Sequence, residues 1–216
     1  RELISETIEK GAGLGHLYAA SPERVDPGNP VWNQANTPRL VAGLTDEATN
    51  KAVEFYASFC AHVVPVSSPE VAEAAKLFEN TFRQVNIAMV NELAQISHGL
   101  DIDVREVLDA AATKPFGFMK FNPSLGVGGH CISVDPWFFV ESAPDLSVLI
   151  AKARAVNDSQ PHYLLHQLQA ACGGSLKGKK VAALGLAYKP DVDDLRESPA
   201  VEEVHLLQAA GAEVLA

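Results

Sequence analysis

Apolar and polar positions change their period several times along the 216 residues. Leu17 to Ala20, Leu40 to Gly43 and His62 to Val66 are short apolar stretches of the kind that form buried strands. Between the second and third, Thr45-Asp46-Glu47 predicts a capped helix, with Val53, Tyr56 and Phe59 on one side. Arg1 to Lys10 reads as a further amphipathic helix stopped by Gly11-Ala12-Gly13. Helix alternating with strand is the pattern of an α/β sheet, here entered in mid-pattern.

The period then lengthens. Ser68-Pro69 predicts a helix start, because Ser accepts a bond from an orphan N–H and Pro fits the first turn. Val71, Ala75, Phe78, Phe82, Val85, Met89, Leu93 and Ile96 recur every three or four residues and define one apolar stripe of a long helix ending at Gly99. Asp103 opens a shorter helix through Val104, Val107, Leu108 and Ala111, and helical pattern runs again from Leu146 to Ala171. Between them Lys114 to Pro136, rich in Gly, Pro and aromatics, fits no periodic template, which marks a functional loop. Lys180 to Gly185 reads as a strand, Ser198-Pro199 as a helix start and Val214 to Ala216 as one more strand. The pattern predicts an α/β region, a mainly helical middle and a second α/β region entered but not completed.

Composition narrows the function. With 47% apolar and 20% charged residues the chain is of ordinary globular type. No apolar run approaches the roughly 18 residues a membrane span needs, and the first residues do not read as a signal peptide, so a cytoplasmic protein without membrane contact is expected. The net charge of −10, with no basic run interleaved with aromatics, excludes nucleic acid as a partner. Cys60, Cys131 and Cys172 are an odd, widely spaced set, which argues for reduced thiols and against a disulfide framework or a structural metal site. Asn157-Asp158-Ser159 reads as a surface turn ahead of Pro161 rather than a glycosylation site.

Chemistry concentrates in Gly126-Val127-Gly128-Gly129-His130-Cys131-Ile132-Ser133-Val134-Asp135-Pro136. Glycines there permit close backbone approach to a ligand, and the segment delivers a thiol and a carboxylate four residues apart. A free thiol is only a few per cent ionised at pH 7, so a nucleophilic Cys131 needs a cation nearby. Lys76 and Asn80 on the long helix are candidates for the cation and a companion donor, since four residues put both on one face. Such a pair aimed at one point stabilises a developing oxyanion by about 3 to 4 kcal/mol. A solvated Lys with a surface Asn is the alternative that spacing leaves open. Cys60 and Cys172, on helices, are read as packing residues.

Three segments carry a resemblance. Lys76-Leu77-Phe78-Glu79-Asn80, then Gly128-Gly129-His130-Cys131-Ile132 with Val134-Asp135-Pro136, then Gly185-Leu186-Ala187-Tyr188-Lys189 with Arg196-Glu197-Ser198 resemble, in order and separation, the signatures of the UDP-glucose/GDP-mannose dehydrogenase family. The resemblance implies an α/β protein in three parts: the C-terminal part of a NAD-binding Rossmann domain at 1–67, a central all-helical dimerisation domain at 68–160, and a linker helix with the start of a second Rossmann-like, UDP-sugar-binding domain at 161–216. It implies that Cys131 is the nucleophile, that Lys76 and Asn80 donate to the oxyanion, that Asp135 partners the attacking water and that Glu23 serves thioester hydrolysis. It places Arg24, Lys114, Gly128, Gly129 and Lys189 on the UDP-sugar and Arg196 on NAD, and it implies a homodimer through the central helices.

The reaction so implied is oxidation of a sugar C6 alcohol to the carboxylate, with an aldehyde captured by Cys131 and released as acid from a thioester. β-Hydroxyacid dehydrogenases share the Lys and Asn pairing, so Cys131 separates the two readings. Pro22-Glu23-Arg24, Pro27-Gly28 and Ala112 to Gly117 resemble the branch acting on UDP-N-acetylated hexosamines, and Val134 to Phe138 leans toward UDP-N-acetylmannosamine. UDP-N-acetylglucosamine and UDP-glucose remain the alternatives. No GxGxxG follows a strand here, and Gly11 to Gly15 ends a helix rather than opening one. The expectation is therefore a fragment or incomplete gene product, inactive alone, and the competing class is a non-catalytic dimerisation scaffold.

Overall fold

The computed structural model describes residues 16–26 and 28–216. The helix expected at 1–10, the glycines at 11–15 and Pro27 lie outside the described residues. The described residues gather into two compact units, one ending at Phe78 and the other running from Glu79 to Ala216.

In the first unit β1 (Ala19–Ala20), β2 (Arg39–Gly43) and β3 (Val63–Pro65) form one sheet in that order. β2 and β3 run parallel with Arg39 opposite Val63, and the connection between them is helix α1 (Asp46–Ala57), as a parallel pair requires. β1 pairs antiparallel with β2, so the sheet is mixed. Thr45 caps α1 as expected, its hydroxyl accepting from the Ala48 N–H. The core is small: Val41, Ala42 and Ala48 are buried, and at Gly43 a Cβ would stand 2.5 Å from the Ala48 Cβ, so glycine sets how closely α1 lies on β2. Cys60 lies beyond the end of α1 rather than on a helix; it is buried, with its thiol donating to the Gln34 carbonyl at 3.3 Å.

Helix α2 (Pro69–Gly99) starts and stops where the sequence places it. In the second unit it continues from residue 79 and is followed by α3 (Val104–Ala112), capped by Asp103, whose carboxylate accepts from the Arg105 N–H. A helix not expected then appears: α4 (Asp135–Ser142) opens at Asp135-Pro136, the residues read as the end of the long loop. Pro is compatible with a first helical turn, whose N–H groups have no intrahelical partner, and Asp is favoured at the same end by the helix dipole. The helical stretch read from 146 to 171 is two helices, α5 (Val148–Asp158) and α6 (Gln160–Ala171), divided at Ser159 ahead of Pro161. Cys172 follows α6 as its cap.

β4 (Lys180–Ala182) is shorter than the apolar run suggests. It pairs parallel with β5 (Glu213–Leu215) across α7 (Pro199–Ala209), which packs on α6. Among the described residues no helix is long and apolar enough to cross a membrane, and no group of three or more His, Cys, Asp and Glu is placed to hold a metal ion.

Candidate active site

Within the second unit the cysteine loop is built by three sets of bonds. The Cys131 carbonyl accepts the N–H groups of Val134 and Asp135 at 3.1 and 2.8 Å, so the thiol sits on the turn that leads into α4. The buried Ser133 hydroxyl donates to the Gly129 carbonyl, and Arg154 of α5 donates Nη1 to the Ser133 carbonyl at 2.9 Å while pairing with Asp158 at 2.8 Å. Finally Gly129 N–H donates to the Arg196 carbonyl at 3.0 Å, which joins the cysteine loop to the loop at 185–198.

The glycines act at that junction. A Cβ on Gly128 would lie 2.6 Å from the Tyr188 Cβ and 2.8 Å from the Glu197 carbonyl, and one on Gly129, which has φ of 78°, would lie 2.9 Å from the Tyr188 ring. The sequence reading has these glycines admitting a ligand. In the structure they also permit the close approach of one loop to another, which a side chain at either position would push apart.

The second loop is itself braced. Ser198 donates its hydroxyl to the Leu186 carbonyl at 2.6 Å, and Arg196 grips Asp194 through Nε and Nη2, the latter at 2.6 Å. Hydrogen bonds from the Arg196 side chain and backbone hold the Asp194 carboxyl down at about 2, with the Arg196 charge and His130 adding to the effect. Arg196 is raised in turn, first by its bond to Asp194, and also by Tyr188 and by Cys131. The backbone bond from Gly129 to Arg196 places Arg196 on the segment joined to the cysteine loop, with its guanidinium engaged by Asp194. Glu197, beside it, has φ of 52°, a left-handed conformation strained for a non-glycine residue and of the kind that clusters at binding loops. Lys189 lies half-buried on the same loop.

Asn80 and Asp135 meet. Asn80 is only 1% exposed, and its Nδ2 donates to Asp135 Oδ2 at 2.5 Å, so α2 and the first turn of α4 are joined beside the cysteine loop. Arg83, one turn further along α2, donates Nη2 to Asn80 Oδ1. Lys76 precedes Asn80 by one turn on the same helix and is half-buried. Lys114 is exposed after α3, with its Nζ 5.0 Å from the centre of the Phe116 ring.

In the first unit Glu23 is the centre of a polar cluster. Its carboxylate accepts from Gln34 at 2.8 Å, from the Val25 N–H at 2.7 Å and from Arg39 at 3.0 Å. Partial burial opposes its ionisation, but these donors and the Arg39 charge outweigh it and hold the carboxyl down at about 2. Arg39 is raised against its own desolvation by the bond and charge of Glu23, and it stacks 4.9 Å from the Tyr56 ring centre. Arg24 spends Nη1 on the Pro38 carbonyl at 2.7 Å.

Residues 70–159 match the central domain of the UDP-glucose/GDP-mannose dehydrogenase family, and residues 182–216 match its UDP-binding domain, together more than half of the chain. The chain belongs to this family. It is 40% identical over 194 residues to a UDP-N-acetyl-D-mannosamine dehydrogenase of Campylobacter jejuni, covering 90% of this chain and 47% of the relative. It is 41% identical over 204 residues to an NDP-N-acetyl-D-galactosaminuronic acid dehydrogenase of Ralstonia nicotianae, covering 94% of this chain and 48% of the relative. The UDP-D-ManNAc dehydrogenase structure from Pyrococcus horikoshii aligns with a TM-score of 0.85 at 34% identity, over 96% of this chain and 53% of the other. A UDP-glucose dehydrogenase structure from Pyrobaculum islandicum gives the same TM-score of 0.85 at 28% identity, over 98% of this chain and 50% of the other. The chain thus spans about half the length of the relatives it matches.

In this chain the sequence does not single out Arg83, Arg154 and Asp194, which brace the candidate site without belonging to any of the three signatures. For Arg83 a signal existed: it stands three residues after Asn80, on the same helix face. For Arg154 and Asp194 the sequence offers none, since their bonds go to a backbone carbonyl and to a neighbour in an irregular loop.

Proposed function

We propose that this chain is the central part of an NAD-dependent dehydrogenase that oxidises the C6 alcohol of a UDP-N-acetylhexosamine, UDP-N-acetylmannosamine first among them, to the carboxylate. The observation that carries the proposal is the junction at Cys131: a thiol on a glycine-rich turn, with Asp135 held by Asn80 on one side and the Arg196 loop bonded to Gly129 on the other, in a chain of this family.

The residues have distinct work in that reaction. Cys131 adds its sulfur to the C6 aldehyde, forming a C–S bond and a thiohemiacetal whose oxygen takes up negative charge as the bond forms. Lys76 and Asn80 donate to that oxygen, whose stabilisation is worth about 3 to 4 kcal/mol for a well-placed donor. Oxidation of the thiohemiacetal gives a thioester. Asp135 then orients the water that attacks the thioester carbonyl, and Glu23 assists that hydrolysis, releasing the acid and returning the thiol. NAD, when bound, accepts a hydride in each of the two oxidations. Arg196 fits the anionic cofactor as an exposed guanidinium on the loop bonded to the cysteine loop, and Lys189, Lys114, Arg24 and the backbone at Gly128 and Gly129 are assigned to the UDP-sugar. The working protein is a homodimer through the central helices.

The sugar preference rests on the names of the relatives in Campylobacter jejuni and Ralstonia nicotianae, both of which concern N-acetylated hexosamines, and on Val134 to Phe138; the fold is shared with a UDP-glucose dehydrogenase. A panel of UDP-sugars assayed for uronic acid by mass spectrometry tests both parts. In the complete protein, Cys131→Ala is expected to abolish the acid from UDP-N-acetylmannosamine, while Cys60→Ala and Cys172→Ala retain it. A Cys131→Ala variant making acid within about tenfold of the parent rate, a barrier change of about 1.4 kcal/mol, would remove covalent catalysis by this residue.

A further inference from the structure

The sense in which the Asn80 amide is turned is set by two bonds, one at each end of the carboxamide. A carboxamide has an oxygen that only accepts and an NH₂ that only donates, in nearly the same shape, so a turn of half a revolution exchanges them. For Asn80 the difference decides the site. With Nδ2 toward Asp135 it supports the carboxylate and keeps a second amide proton for an oxyanion; turned over, it faces a carboxylate with its own carbonyl oxygen.

Arg83 fixes that sense from the oxygen side, as the Asp135 carboxylate does from the nitrogen side. Its guanidinium carries donors and no acceptor, so the bond from Arg83 Nη2 to Asn80 Oδ1 is compatible with one orientation only. Three residues along a helix place the two side chains on the same face. Asn80 is 1% exposed, so its oxygen has no ready replacement donor in water if the guanidinium is removed. The three groups form a directed chain, Arg83 to Asn80 to Asp135, in which each donates to the next.

We infer that Arg83 is a positioning residue for the oxidation proposed above, acting through the Asn80 amide on the geometry of the oxyanion donor and of Asp135. Arg83 makes no contact with the reacting atoms in this assignment. Its effect belongs to steps that need the donor aligned, and not to ground-state binding of the UDP-sugar. The inference rests on the proposed reaction for its consequence, and on the two hydrogen bonds for its physical basis.

The test uses the complete protein with UDP-N-acetylmannosamine and four variants: Arg83→Met, Arg83→Lys, Asn80→Ala, and Asn80→Ala with Arg83→Met. Arg83→Met is expected to lower kcat by about ten- to a hundredfold with KM within about threefold, the signature of an interaction made in the transition state. Arg83→Lys, which still offers only donors to the amide oxygen, is expected to recover kcat to within about fivefold of the parent. The double variant is expected to be no slower than Asn80→Ala alone, because a residue acting through Asn80 has nothing left to position. An unchanged kcat in Arg83→Met, a loss confined to KM, or losses that multiply in the double variant would each overturn the inference. A parent inactive on every UDP-sugar would overturn the proposed function instead, and urea midpoints of the same variants would then decide the pairing. Non-additive midpoints support the bond, and additive ones overturn it.

Discussion

Glu203 shares a face of α7 with Leu207, four residues on, and both are buried. Neither carboxyl oxygen of Glu203 has a hydrogen-bond partner among the described residues. Burial, aided by the charge of Glu202, pushes its pKa up to about 7, from 4.5. Because the folded value lies above the unfolded one, stability is fully present below pH 4.5 and is lost as pH rises to about 7. Because the helix can relax and admit water once the carboxyl ionises, the loss is about 1 to 2 kcal/mol. Glu203→Gln mimics the neutral carboxyl, so it is expected to melt roughly 2 to 8 °C higher than the parent at pH 8 and within about a degree at pH 4. Equal shifts at both pH values would assign the effect to packing. Glu23 is the opposite case: held at about 2, it adds stability that is present above 4.5 and lost as pH falls toward 2. Arg39→Met removes both a donor and a charge, and the Glu23 carboxyl is expected to rise toward 4.5, followed by carbon NMR titration of that side chain. A value unmoved by the substitution would leave Gln34 and the Val25 N–H as the whole cause. The same depressed value means that Glu23, while Arg39 holds it, takes up protons weakly, so its proposed part in hydrolysis is that of a charged hydrogen-bond acceptor and not of a proton carrier.

At the scale of elements, α2 shows what the sequence conveys and what it conceals. Its start at Ser68-Pro69 and its stop at Gly99 are readable because capping chemistry is local, and the same holds for Thr45 and Asp103. Its apolar period is real, yet Phe78, Phe82, Met89 and Ile96 are exposed while Asn80, Thr81, Gln84, Asn91 and Ser97 are buried. Part of that polar face is matched: Asn91 donates to Asn157 at 3.0 Å, Asn157 donates to the Gln84 backbone carbonyl at 3.0 Å, and Ser124 N–H donates to Asn91 at 2.7 Å, while the Gln84 amide and the Ser97 hydroxyl have no partner among the described residues. Partners 33 to 73 residues away leave no local trace. Helix α4 escaped for a related reason, since its eight residues carry no clear period and its opening Asp135-Pro136 reads equally well as the end of a loop. The thiol, Asn80 and Asp135 were legible through motif and spacing, whereas the loop-to-loop role of Gly128 and Gly129 depends on Tyr188, some sixty residues on. Asn91→Ala strips two partners at once, the Asn157 amide oxygen and the Ser124 N–H. It is expected to cost about 2 to 4 kcal/mol in urea unfolding, and a cost below about 1 kcal/mol would show that these bonds are replaced by water.

For the whole molecule the exposed face of α2 has a consequence in solution. Phe82, Met89 and Ile96 are seven residues apart, so they line one side of the helix, and all three are at least 40% exposed. Single exposed apolar residues are ordinary, but a continuous row along several helical turns marks an association surface. A second copy of the same helix is a self-complementary partner for such a row, and a two-fold pairing closes without leaving apolar surface for a third chain. The net charge of −10 opposes association at long range. The attraction must therefore come from apolar burial at about 25 cal/mol per Å², which salt does not weaken. The expectation is a homodimer at micromolar concentration in analytical ultracentrifugation, retained or strengthened as salt is raised. Met89→Glu, at an exposed position on the row, is expected to shift the equilibrium to monomer while leaving helicity by circular dichroism unchanged. A parent sedimenting as a monomer with native helicity would show that the row is covered by something other than a second copy. A dimer indifferent to Met89→Glu would move the interface elsewhere.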